Sequence, residues 1–500
     1  MTDHSPRPAS DERSVERYDD VIVGAGISGI GVACHLQDEL PERRFVLLEA
    51  LDGFGGTWLT HRYPGIRSDS DLYTFGYRFK PWTGPPIASG AEIRKYLGEV
   101  LDENGLERYI RYGHRVERAS WSSDENRWTL EATRLDSGET VRVSARFLWM
   151  CQGYYRHAEG YTPQWPGMDL FKGRIVHPQT WPEDLEYADQ RVVVIGSGAT
   201  AATLVPAIAD ACAHVTLVQR SPTYYFARPN SNEVADMLRE LDVPEAWVHE
   251  IVRRKILHDF KVLTDFALDE PEFARDLLID EVRQALPPGY DVATHFTPRY
   301  EPWHQRIALL PDGDLLKAIS AGRVTMKTDE IESFTESGLR LRSGEQVDAD
   351  IIVTATGFIL SVLGDIEFAI DEEPLDLADT VTYRGLMFTG VPNLAWIFGY
   401  FRASWTLRVD IVADFVCRLI THMEKTGVSR VVPQLRAQDV DAELLSWIDP
   451  GNFNPGYMMR SLDKMPHRLD RPEWRHSQDY WTERETLPLV DLADGCLRFE

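Results

Sequence analysis

Short apolar runs alternate with longer amphipathic stretches along this chain. Two of the runs, DVIV from Asp20 and RVVVI from Arg191, lead into a glycine-rich turn and then into a stretch whose apolar residues recur with helical spacing. A strand, a tight turn and a helix in this order are typical of parallel α/β structure. Because the arrangement occurs twice, the sequence predicts an α/β fold with two nucleotide-binding, Rossmann-like domains.

Further patterns predict the structure around these two units. Alternating apolar and polar positions in the ranges 115–120, 128–132 and 140–149 predict a β-meander. From residue 229 to about 287, apolar residues at three-to-four spacing, seen in 243–261 and in 272–286, predict a helical insert that forms one wall of a cavity. One more helix is predicted across residues 409–424.

Charge and length exclude several classes of protein. The net charge is −26, and a field of that sign repels phosphate backbones, so we expect no nucleic-acid partner. The longest apolar run, 394–401, is far shorter than the roughly 20 residues of a membrane-spanning helix, which leaves peripheral membrane contact open. Residues 1–17 are polar and predict a disordered tail rather than a signal peptide.

The cysteines indicate neither a redox pair nor a metal site. They are scattered along the chain, without C-x-x-C or zinc-like spacing, and no second histidine stands at ligand spacing from His177. Such a set favours a reducing, cytoplasmic location. The oligomeric state stays open. The five cysteines are Cys34, Cys151, Cys212, Cys417 and Cys496.

The first turn has the composition of a dinucleotide site. It reads G-x-G-x-x-G at Gly24, Gly26 and Gly29, where the glycines permit a tight turn, close approach of a pyrophosphate and close packing of helix on strand. The next strand, FVLLE, ends at Glu49, twenty residues after Gly29. A carboxylate at that point accepts hydrogen bonds from ribose hydroxyls.

The second turn differs from the first in a way that indicates its ligand. It reads G-x-G-x-x-A from Gly196 and Gly198, with Ala199 and Thr200 at the start of the following helix. Its next strand, HVTLVQ, is followed by the cation of Arg220 instead of a carboxylate. That cation favours a ribose 2′-phosphate, and hence NADPH over NADH. The residues after this strand are Arg220 and Ser221.

Two such turns in one chain predict two dinucleotides, FAD and a nicotinamide cofactor, with hydride passing from one to the other. The remaining motifs lie beside or between the turns. A G-G-x-W-x4-Y-P-G-x3-D string runs from Gly55 to Asp69, and F-x-G-x-x-x-H-x-x-x-W-P occupies residues 171–182. A D-x4-A-T-G string ends at Gly357.

These strings resemble the signatures of the type I Baeyer–Villiger monooxygenases, within the flavin-containing monooxygenase superfamily. Longer strings such as GIRSDSDLYTFGYRFKPW, VVVIGSGATA, LVQRSPTY and FRASWTL resemble its ethionamide-activating branch in particular. The resemblance covers about residues 18–480. It implies an FAD- and NADPH-dependent enzyme that inserts one atom of O2 beside a ketone carbonyl to give an ester or lactone. The branch also implies oxidation of sulfides or thioamides.

The resemblance assigns catalytic roles to three residues. Arg306 matches an arginine that lies over the flavin, where a permanently charged guanidinium stabilises negative charge. Asp69 matches a carboxylate beside the flavin that orients this arginine. His177 matches a histidine that couples movement of the nicotinamide domain to the flavin. The family often has lysine just before the arginine, whereas this chain has Gln305.

Other matches imply contacts with the cofactors. Gly56, Thr57 and Trp58 match the loop against the flavin, and Gly357 matches the turn where the nicotinamide domain returns the chain to the flavin domain. These matches divide the chain into seven segments. They are a tail (1–17), an FAD-binding part (18–155), a linker (156–190), an NADPH-binding part (191–228), a helical insert (229–305), a second NADPH-binding part (306–357) and a C-terminal FAD-binding part (358–500).

Three alternatives remain at this level. A flavin-containing oxygenase of nitrogen or sulfur atoms shares most motifs, although the tryptophan and proline that end the 171–182 string favour ketone oxidation. A dithiol–disulfide reductase needs a close cysteine pair, which the sequence lacks. A flavin-binding protein without turnover does not need Asp69, His177 and Arg306 together.

Overall fold

The computed structural model describes residues 15–500. Most of the predicted tail lies outside this range. Its last two residues, Glu16 and Arg17, belong to the first strand, which runs from Glu16 to Val23 and not from Asp20. The strand is longer than predicted because its polar first half pairs with the 140–150 strand, Glu16 opposite Val143.

Helices cover both nucleotide-binding units and the insert between them. In chain order they are α1 (Ile27–Glu39), α2 (Thr57–Thr60), α3 (Leu72–Phe75), α4 (Gly90–Asn104), α5 (Ala199–Ile208), α6 (Glu233–Glu240), α7 (Glu245–Asp269), α8 (Pro271–Ala285), α9 (Val292–Phe296), α10 (Asp314–Ser320), α11 (Trp405–Thr426), α12 (Gly456–Met459) and α13 (Tyr480–Thr486).

The larger sheet, called the first sheet, combines a parallel part with an antiparallel meander. Its first strand lies between two parallel neighbours, with Val21 opposite Val46 on one side and Leu148 on the other. The three predicted meander strands pair antiparallel to one another. The strands are Glu16–Val23, Phe45–Leu48, Ile110–Arg111, His114–Ser122, Arg127–Arg134, Thr140–Met150, Glu367–Ile370, Glu373–Pro374 and Leu394–Trp396.

The second sheet is entirely parallel. Its central strands are apolar along nearly their whole length because helices or loops cover both faces. One edge strand, Arg174–Val176, comes from the segment predicted as linker and pairs with Ile351–Val353. In spatial order the strands are Val324–Thr328, His214–Gln219, Arg191–Ile195, Ile351–Thr354 and Arg174–Val176.

Short strand pairs complete the fold. They are Tyr225–Arg228 with Ala308–Pro311, Tyr155–Gly160 with Phe358–Leu360, Thr382–Tyr383 with Met387–Phe388, Val431–Pro433 with Leu497–Phe499, Leu445–Ser446 with His467–Arg468, and the three-stranded group Ile331–Thr335, Gly338–Leu341 and Gln346–Asp348.

Two helices differ in length from the sequence prediction. The helix predicted across 243–261 is α7, which continues to Asp269 and ends only where Pro271 begins α8. The helix predicted across 409–424 is α11, which begins four residues earlier, at Trp405, ends at Thr426 and is capped by Gly427 in the left-handed conformation. Within residues 15–500, no helix combines the length and apolar character needed to cross a bilayer.

The core of the first unit joins its α1 to the C-terminal α11. Cys34 and Leu36 of α1 pack with Val409 and Val416 of α11 in one buried apolar cluster. A buried ion-pair group crosses the same interface, since His35 of α1 contacts carboxylates of α11. The C-terminal segment therefore completes the first unit, although it follows the second unit in the chain.

Candidate active site

Two passages of chain connect the first unit to the second, and they pair with each other. The strand Tyr155–Gly160 lies antiparallel to Phe358–Leu360. Just beyond it, the Tyr161 amide donates to the Gly357 carbonyl at 2.9 Å. We call this paired region the crossover. Any rotation of one unit against the other must act on these few residues.

The first glycine turn leaves no room for side chains. Gly24 has φ +102°, and a Cβ there would lie 2.7 Å from the Cys151 carbonyl oxygen. A Cβ at Gly29 would lie 1.9 Å from the Gly24 oxygen, so α1 sits directly on the turn. Glu49 accepts the amide of Ala25 at 2.7 Å, and burial raises the pKa of its carboxyl. Glu49 therefore holds the turn in shape, and its contact with a ribose stays a prediction.

The predicted flavin loop lies against this turn. A Cβ at Gly56, where φ is +53°, would lie 3.2 Å from the Cα of Gly26. The Thr57 hydroxyl lies 2.7 Å from the Tyr155 hydroxyl at the crossover. Trp58 meets Phe75 edge to face. The structure thus brings Gly24, Gly26, Gly29, Gly56, Thr57 and Trp58 to one region, at the start of α1 and α2.

The second glycine turn combines a closed side with an open one. A Cβ at Gly196, where φ is +109°, would lie 2.3 Å from the Ala355 oxygen, whereas a Cβ at Gly198 would meet nothing within 4 Å. Helix α5 begins at Ala199, so its free amide groups stand next to the open side. Thr200 lies near the buried Tyr63 hydroxyl, and burial raises the pKa of Tyr63. This donor set suits an anion such as a pyrophosphate.

Arg220 and Ser221 follow the strand His214–Gln219 and are exposed. Among residues 15–500, no acidic side chain forms an ion pair with Arg220. The Ser221 carbonyl accepts a 3.4 Å hydrogen bond from Ser197 of the glycine turn, which places the pair beside that turn. An exposed cation beside the turn is consistent with the predicted 2′-phosphate contact.

His177 lies on the crossover as a neutral ring. Its Nδ1 accepts the Gln179 amide at 3.1 Å, so Nε2 carries the proton and donates to the Gly357 carbonyl at 3.2 Å. Burial lowers the pKa of His177, which the bond to Gly357 only partly opposes. Gln179 is fixed in turn, since its amide group donates to the carbonyls of Arg156 and His157. His177 and Gly357, predicted separately, are therefore direct partners.

Arg306 and Asp69, which are 237 positions apart in the chain, form an ion pair, as the family resemblance implies. Arg306 Nη1 donates to Asp69, and its Nε donates to the Phe401 carbonyl at 3.2 Å. Burial lowers the pKa of Arg306, but the charge and hydrogen bond of Asp69, together with the nearby Tyr154 and Tyr457, outweigh burial, and the pKa lies above its ordinary value. About 40% of each side chain is exposed, and this exposed part faces a cavity.

Arg402 supports the segment that carries Arg306. It donates through Nε and Nη2 to the carbonyl of Trp303, a residue with φ +68°, and through Nη2 to the Asn452 carbonyl at 2.7 Å. Gln305, which replaces the family's lysine, contacts Asn454 at 3.4 Å. The sequence places Arg402 only within the candidate cavity stretch 401–405, which is part of the string FRASWTL, and it does not predict the support that Arg402 gives to the segment of Arg306.

The cavity beside Arg306 has a volume of about 290 Å³. Helices α7 and α8 supply its main apolar wall, as expected for the predicted insert. Asp69 and Arg306 line the cavity, whereas His177 does not. The structure therefore separates the three predicted catalytic residues into a charged pair at the cavity and a histidine at the crossover. The apolar lining is Phe226, Ile256, Leu257, Phe260, Leu263, Phe266, Ala267, Ala274, Leu277, Leu278, Trp303, Ile307, Leu309, Phe401, Ala403 and Leu407.

Comparison with known proteins agrees with this geometry. Residues 83–255 match the model of the flavin-binding monooxygenase-like family, and residues 22–85 match that of the NAD(P)-binding Rossmann-like domain. Two solved structures share the fold over 97% of the chain. A steroid monooxygenase bound to NADP has a TM-score of 0.76 at 23% identity and 99% coverage of its chain, and an open cyclohexanone monooxygenase has 0.76 at 20% identity and 100% coverage.

The fold and the two glycine turns thus define a flavoprotein monooxygenase architecture. The FAD-containing monooxygenase EthA of Mycolicibacterium smegmatis is 46% identical over 486 residues, which is 97% of each chain. The EthA of Mycobacterium tuberculosis is 44% identical over 97% of this chain and 98% of its own. The chain belongs to the flavin-binding monooxygenase-like family. This confirms the family and the fold class that the sequence predicts.

Proposed function

We propose that the chain is an FAD- and NADPH-dependent Baeyer–Villiger monooxygenase that converts ketones to esters or lactones with O2. The observation that carries the proposal is the Arg306–Asp69 ion pair on the wall of an apolar cavity. A fixed guanidinium at the edge of an apolar space can stabilise negative charge that develops on an oxygen atom next to a bound carbonyl compound. An apolar wall suits the carbon skeleton of such a substrate.

The glycine turns fit the two cofactors. The turn at Gly24 and Gly26, with the loop at Gly56, Thr57 and Trp58, would hold FAD. The turn at Gly196 and Gly198, with Ala199 and Thr200 at the start of α5 and Arg220 and Ser221 beside it, would hold NADPH. When bound, these cofactors supply hydride transfer and the activation of O2.

Arg306 and Asp69 would together stabilise negative charge that develops on an oxygen atom during the reaction. Arg306 stays protonated at any working pH, so it can stabilise an anionic oxygen without giving up a proton. Asp69 holds the guanidinium in place until negative charge develops on an oxygen atom beside Arg306. When such a charge develops, Arg306 can share it, and the Phe401 carbonyl keeps its Nε in position.

His177 would couple the relative movement of the two units to the cofactor sites. It joins the strand pair of the crossover to the linker through Gly357 and the Gln179 amide. A change in the angle between the two units would strain these bonds first, so His177 can relay occupancy of one cofactor site to the other. Trp181, at the end of the same string, meets Tyr187 at 6.1 Å and packs against the core of the second unit.

A second activity is oxidation of sulfides or thioamides. The observation that favours it is the high identity to EthA over the whole length of both proteins. The cavity accepts either substrate type, because its wall offers few polar groups that would distinguish a ketone from a thioether. A flavin-dependent N/S-oxygenase is therefore the alternative function. A disulfide reductase is not, because it needs a close cysteine pair and the five cysteines are scattered along the chain.

The boundaries of the seven segments and the cellular location of the protein are also part of this proposal. We keep the seven segments predicted from the sequence, with the strand Arg174–Val176 of the linker counted in the second sheet. Five free thiols favour a cytoplasmic location.

The test is O2-dependent oxidation of NADPH by the purified FAD-loaded protein, with and without a simple ketone, followed by product mass. An ester or lactone that is one oxygen atom heavier than the ketone is the expected result. A sulfoxide from a thioether, together with no ester from any ketone, would favour the N/S-oxygenase. NADPH consumption that yields only hydrogen peroxide would contradict both.

A further inference from the structure

One cation in the cavity lining has no carboxylate partner. Arg306 pairs with Asp69, and both line the cavity. Arg228 pairs with Glu281, which also lines it. The third arginine of the lining is Arg402, and no carboxylate within residues 15–500 forms an ion pair with it. Burial lowers the pKa of Arg402, and no neighbouring charge opposes that shift. A partly buried charge without a counter-ion is unfavourable, so an anionic ligand would stabilise it.

The remaining carboxylate of the lining, Asp71, is engaged elsewhere. It caps the start of α3, where it accepts the Thr74 amide at 2.9 Å and the Thr74 hydroxyl at 2.6 Å. Burial raises the pKa of Asp71, and the cation that partly opposes this rise is Arg253 of α7, not Arg402. The charge of Arg402 is therefore open to a ligand that enters the cavity.

The guanidinium of Arg402 is held in place and still has free donors. Its Nε and Nη2 donate to the Trp303 carbonyl at 3.2 and 3.1 Å, and Nη2 also donates to the carbonyl and Oδ1 of Asn452 at 2.7 and 2.6 Å. In the part of the chain that the structure describes, Nη1 has no acceptor. Two free N–H groups on a fixed guanidinium suit the oxygen atoms of a carboxylate.

Reciprocal hydrogen bonds fix Arg402 relative to Arg306. Arg402 donates to the carbonyl of Trp303, three residues before Arg306, and Arg306 donates to the carbonyl of Phe401, the residue before Arg402. A ligand that is bound by Arg402 therefore presents its other parts to Arg306 at a fixed distance. Most of the cavity wall is apolar, so the part of the ligand between the two arginines should be a hydrocarbon chain.

We propose that Arg402 binds the carboxylate of an oxo acid whose ketone carbonyl lies beside Arg306, so that the cavity selects amphiphilic substrates with an anionic end. The reaction of the ketone rests on the proposed function, whereas binding of the carboxylate does not. A phosphate of the nicotinamide cofactor is the other source of an anion. Donors for those phosphates are already present at the start of α5 and at Arg220, which favours the substrate.

The test compares 7-oxooctanoic acid with its methyl ester, a neutral compound of nearly the same shape, as substrates of the FAD-loaded protein. We expect wild type to prefer the acid. In R402Q the ratio of kcat/KM for acid and ester should fall about 10- to 100-fold, because a charge-assisted hydrogen bond is lost. Most of the change should be a higher KM for the acid, since the carboxylate is remote from the reacting carbonyl.

Two further variants separate charge from support. R402K keeps the charge and should keep most of the preference for the acid. N452A is the matched control, because it removes a contact that holds Arg402 and leaves the charge. It should affect both substrates alike and leave their ratio unchanged. A loss of the preference in N452A as large as in R402Q would show that Arg402 acts only as a structural support and would overturn the proposal.

A binding measurement without turnover separates this proposal from the proposed function. Calorimetric titration of the FAD-loaded protein should show tighter binding of octanoate than of octanol in wild type and no such difference in R402Q. If R402Q does not retain its flavin, R402M, which keeps an apolar stem, replaces it. Equal binding of octanoate and octanol by wild type, or an unchanged preference in the variant, would overturn the proposal.

The kinetic arm also identifies the source of the anion. A higher KM for NADPH in R402Q, with an unchanged preference for the acid, would assign Arg402 to the cofactor and contradict the proposal. Tight binding of octanoate together with no oxygen insertion into either substrate would support the carboxylate site. That result would contradict only the proposed reaction.

Discussion

Gly160 leaves the space that the ring of His177 occupies. A Cβ atom at Gly160 would lie 1.9 Å from Cε1 of His177 and 2.3 Å from both ring nitrogens. Gly160 is the last residue of the crossover strand Tyr155–Gly160, and it pairs with Phe358. The ring therefore fits against one passage of the crossover while it donates to the Gly357 carbonyl of the other.

Gly160→Ala should displace the His177 ring and break its bond to Gly357. Overpacking of this kind costs about 1–3 kcal/mol. We expect that loss in urea unfolding followed by tryptophan fluorescence, together with slower NADPH-dependent turnover. The control is G53A, because a Cβ at Gly53 would meet only ordinary contacts at 3.4 Å and beyond. Equal stability and turnover in the two variants would contradict a role for the Gly160–His177 fit.

Arg306→Ala should nearly abolish ester formation and leave FAD bound. Removing one electrostatic stabiliser of a developing anion lowers the rate about 100- to 1000-fold. The measurement is ester yield per NADPH consumed, with the flavin spectrum as a check on cofactor content. R306K should lie between wild type and R306A, because lysine keeps the charge but not the planar group that contacts both Asp69 and Phe401.

The matched control is Arg228→Ala. Arg228 also lines the cavity, but it pairs with Glu281 of the insert at 3.0 Å and not with Asp69. We expect R228A to change the ester yield little. A wild-type yield in R306A, or an equal loss in R228A, would show that charge at Arg306 has no special function.

The sequence predicts those parts of the fold and site that depend on local pattern. The strands Arg191–Ile195 and His214–Gln219 have the predicted bounds because each is a short apolar run next to a turn. The Arg306–Asp69 pair is also found as predicted, although the resemblance to a family, not local pattern, indicated it. Local pattern cannot show which side chains meet across a long stretch of chain.

The remaining features depend on tertiary contacts. Arg402 reaches Trp303 across 99 positions, and the space beside Gly160 is defined by a histidine in another segment. The end of α7 was missed because Val262 and Leu263 are apolar but exposed, which obscures the helical period after Lys261. The strand Arg174–Val176 has three residues, too few for an alternating pattern to be recognised.

Arg220→Gln should reduce the preference for NADPH over NADH. A charge-assisted hydrogen bond contributes about 1.5–3 kcal/mol, so the ratio of kcat/KM for the two cofactors should fall about 10- to 100-fold. Most of the change should come from a higher KM for NADPH. The control is R340Q, an exposed arginine on the strand Gly338–Leu341. An unchanged ratio in R220Q would place the 2′-phosphate contact elsewhere.

His35 joins α1 to α11 through charge. Its Nε2 lies 3.1 Å from Asp410, and its Nδ1 lies 3.0 Å from Asp414 and 3.8 Å from Glu39. Arg253 of α7 faces Asp410 at 3.9 Å, and Arg78 faces Asp414 at 3.6 Å. Burial lowers the pKa of His35, but the hydrogen bonds to the three carboxylates outweigh it and raise the pKa to about 11.

The raised pKa of His35 predicts a loss of stability in alkali. The ordinary pKa is 6.5 and the folded one about 11, so the stabilisation is fully present below pH 6.5 and is lost as the pH rises through about 11. Over that window the free energy of unfolding should fall by up to about 1.4 kcal/mol per pH unit relative to His35→Gln. H35Q should therefore melt well below wild type at pH 6.5, and the gap should narrow by pH 9.5. The control is H258Q, at an exposed position of α7, which should keep the wild-type pH dependence. A gap between wild type and H35Q that stays constant with pH would show that His35 is neutral in the folded protein.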